Sequence, residues 1–129
     1  MDVSGRFQAK LGEIRARFVA GFNEKLAAAA AALHRASSSR STQIERVEAL
    51  TELRLFAHDL AGISPSLGFT ELGQRASRLE ETVLMALRAD AASLAKTLPN
   101  ITETFLAVAE AMPLQQDSAT ADVAKETPR

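Results

Sequence analysis

The run "FAHDLAG", residues 56–62, places a histidine where its neighbours suit nucleophilic chemistry. His58 has Arg54 four residues before it and Gly62 four residues after it, with Thr51 a further turn back. On a helix, residues three or four apart share a face, so these four side chains form one column. An imidazole is partly unprotonated near neutral pH, and its free ring nitrogen can attack an electrophilic phosphorus. Phosphoryl transfer then needs open space for in-line approach and a cation for the phosphoryl oxygens. Gly62 would supply the space and Arg54 the charge. A glycine inside a helix costs about 1 kcal/mol relative to alanine, so its place beside the ring calls for a reason.

Helical arithmetic points His58 away from the core. With Leu60 at zero and 100° per residue, Leu53, Ala57, Phe56 and Leu50 lie between about −40° and 80°, and His58 lies near 160°. Leu55 falls beside the histidine and would add an apolar rim. Adjacent helical positions diverge by about 100°, so Asp59 is not expected to pair tightly with His58. Glu80 and Glu81 form neither a glycosidase pair nor a metal set, and read as exposed charges. His34 lacks a downstream glycine and reads as a structural or surface residue. Phe18, Phe22, Phe56, Phe69 and Phe105 read as packing residues.

The rest of the chain must hold that column in place. Its 129 residues suit one domain. It is 47% hydrophobic and 24% charged, has a net charge of −1, and contains six Phe but no Trp, Tyr or Cys. The absent basic surplus argues against nucleic acid, and the absent thiols exclude disulfides and thiolate metal sites. No stretch is long and apolar enough to span a bilayer, and the start does not read as a signal peptide, so a cytoplasmic protein is expected.

Apolar periodicity predicts an almost wholly helical chain. Residues 6–17 form a short first helix or the first turns of a longer one. Phe18, Phe22, Leu26, Ala29 and Leu33 continue a stripe to about residue 35. "ASSSRST" breaks the chain, and Thr42 with Glu45 forms a capping-box pattern for a helix running to about residue 62. Pro65 and Gly68 end it. Leu72, Ala76, Leu79, Val83 and Leu87 mark a helix over about 70–88. Asp90 caps a further segment. "NITE", residues 100–103, repeats the capping-box pattern, so Pro99 either separates two helices or marks an early turn within one. The expected architecture is all-α: an antiparallel four-helix bundle over 6–112 with a short additional N-terminal helix, and a flexible tail over 113–129.

Residues 54–80, "RLFAHDLAGISPSLGFTELGQRASRLE", resemble the histidine-containing phosphotransfer domain, or HPt. That family's motif has the phosphoaccepting histidine, leucine two positions on, lysine at the third, glycine at the fourth and glycine at the tenth. Here these are His58, Leu60, Ala61, Gly62 and Gly68. "SLAKTLPNITETFLAVAEAM" resembles the family's last helix, and the likeness covers 44–112. The resemblance implies an HPt-type bundle that passes a phosphoryl group between His58 and aspartates of response-regulator receiver domains, including the receiver of a hybrid histidine kinase. It implies no autokinase activity and no intrinsic cofactor, the magnesium ion belonging to the receiver. Ala61 departs from the pattern by removing the customary lysine, and Arg54 is the candidate replacement. Ile63 replaces a small polar residue. The docking surface is expected to include Thr51, Leu55, Ala61 and Gly62, with Arg75 and Arg78 as further basic candidates, on a monomeric carrier. The alternative is a noncatalytic HPt-like protein that regulates a histidine kinase or a receiver by binding it.

Overall fold

The computed structural model describes residues 3–111. Four helices follow in order: α1 Val3–Ser37, α2 Gln43–Ile63, α3 Thr70–Arg88 and α4 Ala91–Ala111. A single 3-10 turn, Pro65–Leu67, lies between α2 and α3. The short links reverse the chain each time, so neighbouring helices run antiparallel. Helix α2 packs most extensively against α3, α3 against α4, and α1 against α2, while α1 meets α4 only lightly. Helix α2 is therefore held on both sides. The expected tail over 113–129 lies outside the described residues.

Burial follows the apolar stripes. Leu50, Leu53, Ala57 and Leu60 of α2 meet Leu72, Ala76, Leu79 and Val83 of α3 in the core, with Phe22, Ala29 and Leu33 from α1 and Ile101, Phe105 and Val108 from α4. Burying a Leu or Phe side chain contributes roughly 1.5–3 kcal/mol. Phe18, Phe22, Phe56 and Phe105 form a chain of ring contacts across this core, and Phe18 also stacks on Phe69. Among the described residues no helix is long and apolar enough to cross a membrane.

The caps follow local chemistry. The Thr42 hydroxyl accepts from the Glu45 amide at 3.1 Å, and the Glu45 carboxylate accepts from the Thr42 amide at 2.8 Å. This is the capping box the sequence predicts. At the other end Gly68 takes φ 90°, a left-handed conformation that glycine adopts without a steric penalty. Arg15 of α1 secures this turn by donating from Nε to the Leu67 carbonyl at 2.8 Å. Asp90 accepts from the Ser93 amide at 2.8 Å, and that bond, with the Ser93 hydroxyl, holds the carboxyl below the usual range.

Two points that the sequence leaves open are resolved. No short additional N-terminal helix stands apart: the N-terminal turns are the first turns of a 35-residue α1, the second of the two alternatives. Gly5, Gly12 and Gly21 lie within it, and scattered glycines at roughly 1 kcal/mol each relative to alanine do not break a helix of this length. Pro99 does not separate two helices; the alternative of one helix running through it holds, with Pro99 as its ninth residue rather than in its first turn. It lies inside α4, and the capping box predicted over 100–103 does not form a helix start. The core explains this: Leu94 on one side of Pro99 and Ile101, Phe105 and Val108 on the other are all buried. Their joint burial is enough to offset the roughly 3 kcal/mol that an interior proline costs.

Candidate functional site

Helix α2 presents two opposite stripes. One is the core stripe. The other runs Ile44, Val47, Thr51, Leu55, His58 and Gly62, at steps of three and four, and every member is exposed. Ile44 is 72% exposed, Leu55 50% and Val47 39%, so the histidine lies on an unusually apolar outer face. Leu55 carries this surface into a groove of about 340 Å³ between α1 and α2, walled by Phe18, Phe22, Phe56, Leu60 and Ile63. Ile63 does not enter the core, being 43% exposed. The contribution of Ile44 and Val47 was legible in their spacing, but an apolar residue opposite the core stripe looks like noise until the partner helices are placed.

The His58 ring is tethered on one side only. Its side chain is 61% exposed, and Nδ1 lies 2.8 Å from Oε2 of Glu80 on α3. A carboxylate can only accept, so Nδ1 carries the hydrogen and donates it. In the neutral ring this leaves Nε2 with its lone pair free. Arg54 stands on the other side of the same oxygen, with Nη1 3.9 Å from Glu80 Oε2. Glu80 thus bridges the histidine and the arginine, and its side chain is only 20% exposed.

Glu80 is the residue the sequence reading missed. Expected as an exposed charge, it is instead half-buried between α2 and α3 and fixes the ring. No local pattern reveals this, because 22 residues separate the pair and the contact depends on the antiparallel register of two helices. Asp59, the adjacent acid, does not bond to His58 and lines the α1–α2 groove.

Gly62 lies one turn beyond His58 in ordinary helical backbone, and a Cβ placed on it would meet nothing within 4 Å. Neither backbone angle nor packing demands glycine there. Its effect is to leave the surface beside the imidazole bare. Ala61 is half-buried against the core and brings no charge. Thr51 is exposed, and its hydroxyl donates to the Val47 carbonyl at 2.8 Å.

The remaining basic candidates lie elsewhere. Arg75 donates to the Ala107 carbonyl at 2.7 Å and pairs with Glu71 and Glu110, tying α3 to α4. Arg78 is exposed and lines a shallow hollow with Arg75, Glu103, Thr104 and Ala107. On α3 it falls about 160° from Glu80, so it faces away from His58. The structure therefore brings together His58, Arg54, Glu80 and Gly62, and not Arg75 or Arg78. Among the described residues no cluster of His, Asp or Glu is arranged to hold a metal ion.

The exposed, carboxylate-tethered His58 sits on an all-helical bundle, and comparison with known families gives that bundle a class. The family model of the Hpt domain matches residues 13–116. The chain belongs to the Hpt domain family. This family comprises phosphotransfer carriers without kinase activity or an intrinsic cofactor, which interact with receiver and kinase domains. No curated protein and no solved structure matches the chain.

Proposed function

We propose that the protein is a histidine phosphocarrier that exchanges a phosphoryl group between His58 and aspartates of receiver domains, including the receiver of a hybrid histidine kinase. The observation that carries this reading is the ring itself: Nδ1 is held by Glu80 on a side chain that is 61% exposed, one helical turn from a Gly62 whose surroundings are open. In the forward step Nε2 attacks the phosphorus of an aspartyl phosphate. The Nε2–P bond forms, the P–O bond to the aspartate breaks, and that carboxylate leaves with the bonding pair. The Nδ1 hydrogen stays on the ring, and Glu80 balances the positive charge that develops there. Arg54 would pair with phosphoryl oxygens, since a guanidinium has donors beyond those facing Glu80. The receiver supplies the magnesium ion and its acidic pocket. The reverse step returns the group to an aspartate.

The nitrogen assignment is testable. Phosphorus and nitrogen NMR of the phosphorylated protein is expected to show Nε2-phosphohistidine. Phosphate on Nδ1 would contradict the role given to Glu80.

Ala61 supports a second reading. It leaves the ring without the cation of the family pattern, which suits a noncatalytic protein that regulates a kinase or receiver by binding. Receiver binding without label on His58 would favour that reading.

A further inference from the structure

The groove between α1 and α2 lies beside His58, and its α2 wall carries a carboxylate without a partner. Leu55 and Ile63 bound that wall, about 12 Å apart along the helix, and both are partly exposed. Asp59 stands midway between them and lines the groove. It is exposed, and among the described residues it makes no ion pair or hydrogen bond. Glu52, the other acid of the lining, is already held by Arg35 at 2.6 Å. Lys25 is the cation of the lining, on the α1 side, and among the described residues it has no ion pair either.

A receiver that reaches His58 must cover the residues beside it. Phe22, Phe56 and Leu60 make the groove apolar, so what fills it is apolar, and its length of two helical turns suits one face of a helix. The same docking takes Asp59 out of water. A covered carboxylate is costly unless a cation meets it. Arg54 does not supply one, because it lies about 140° from Asp59 around α2 and faces Glu80. The long stem of Lys25 lets its ammonium group stay in water at the rim, whereas the short Asp59 side chain holds its carboxylate where α2 puts it. We propose, resting on the phosphocarrier reading, that Asp59 selects the receiver. The occupant of the groove is an apolar helix of the receiver with a lysine or arginine midway along its docking ridge. That cation pairs with Asp59 while its apolar neighbours pack on Leu55 and Ile63. Charges at the edge of an interface act chiefly on encounter and on the exclusion of wrong partners.

The test uses the full chain and a panel of phosphorylated receiver domains, with magnesium, and follows those that label the wild type. Asp59→Lys is expected to raise the receiver concentration at half-maximal rate by about tenfold at low salt, and Asp59→Asn by about threefold. Lys25→Glu, across the groove, should lower it. The rate at saturating receiver should stay close to that of the wild type, and added salt should shrink all three effects. The signs separate docking from chemistry, because a lysine beside His58 would by itself favour an incoming phosphoryl group. Half-saturation indifferent to Asp59→Lys overturns the inference. So does tighter docking in Asp59→Lys with weaker docking in Lys25→Glu, which would make the docked segment acidic. A loss confined to the saturated rate also overturns it and moves Asp59 into the chemistry. Each of these results leaves the phosphocarrier reading standing. No label on the wild type from any receiver removes that reading, and the selection by Asp59 with it.

Discussion

The candidate site brings together three side chains contributed by two helices. A surface histidine is ordinarily free to rotate and to expose either nitrogen. Here Glu80 fixes the ring and leaves a defined nitrogen open. Replacing Glu80 by Gln keeps an acceptor for Nδ1 but removes its charge. Transfer to His58 is then expected to slow by roughly tenfold, and Glu80→Ala, which frees the ring, by up to about a hundredfold. Arg54→Ala should slow transfer more modestly. Single-turnover transfer from a phosphorylated receiver measures all three, and unchanged rates in both Glu80 variants would remove the carboxylate from the mechanism. The histidine, the arginine and the glycine were legible from spacing within one helix. Glu80 was not, because its role arises only when α3 docks on α2.

At the scale of the elements, two glycines separate function from packing. Gly62 sits in open helical surface, whereas a Cβ on Gly73 would come within 2.8 Å of the Pro65 ring. Gly73 lets α3 approach the turn that follows α2. Gly73→Ala is therefore expected to destabilise the fold by about 1–3 kcal/mol, the usual cost of overpacking. Gly62→Ala should instead stabilise α2 by up to about 1 kcal/mol. Urea unfolding distinguishes the two, and equal effects would refute the contrast. Gly62→Gln should also fold, yet it should block transfer by filling the approach to Nε2. Normal transfer in that variant would show that access does not explain the glycine.

The same scale shows where sequence reasoning succeeds. Thr42, Pro65, Gly68 and Asp90 act through neighbours within a few residues, so their patterns suffice. Pro99 acts locally too, but its effect is overruled by burial of Leu94 and Ile101 in a core that the local pattern does not contain. Arg75, expected from sequence as a docking cation, also ties α3 to α4 through the Ala107 carbonyl 32 residues away, a contact that no local pattern reveals.

At the scale of the molecule, the bundle holds α2 between α1 and α3 and leaves its outer stripe free. The Hpt family match over 13–116 covers α2, α3 and α4 and the part of α1 from residue 13 onward. The architecture was legible because four apolar stripes and three breaks permit few other folds. The exposure of Val3, Phe7 and Ile14 on α1 was not, since it depends on where the shorter partner helices end. The central claim is that His58 carries the phosphoryl group. Its most direct test is transfer from a panel of phosphorylated receiver domains, with magnesium, to wild type and to His58→Gln. Ring exposure predicts that the variant remains folded, which circular dichroism checks. The account predicts label on the wild type and none on His58→Gln. Equal labelling of both, or binding of a competent receiver without any label, would contradict it.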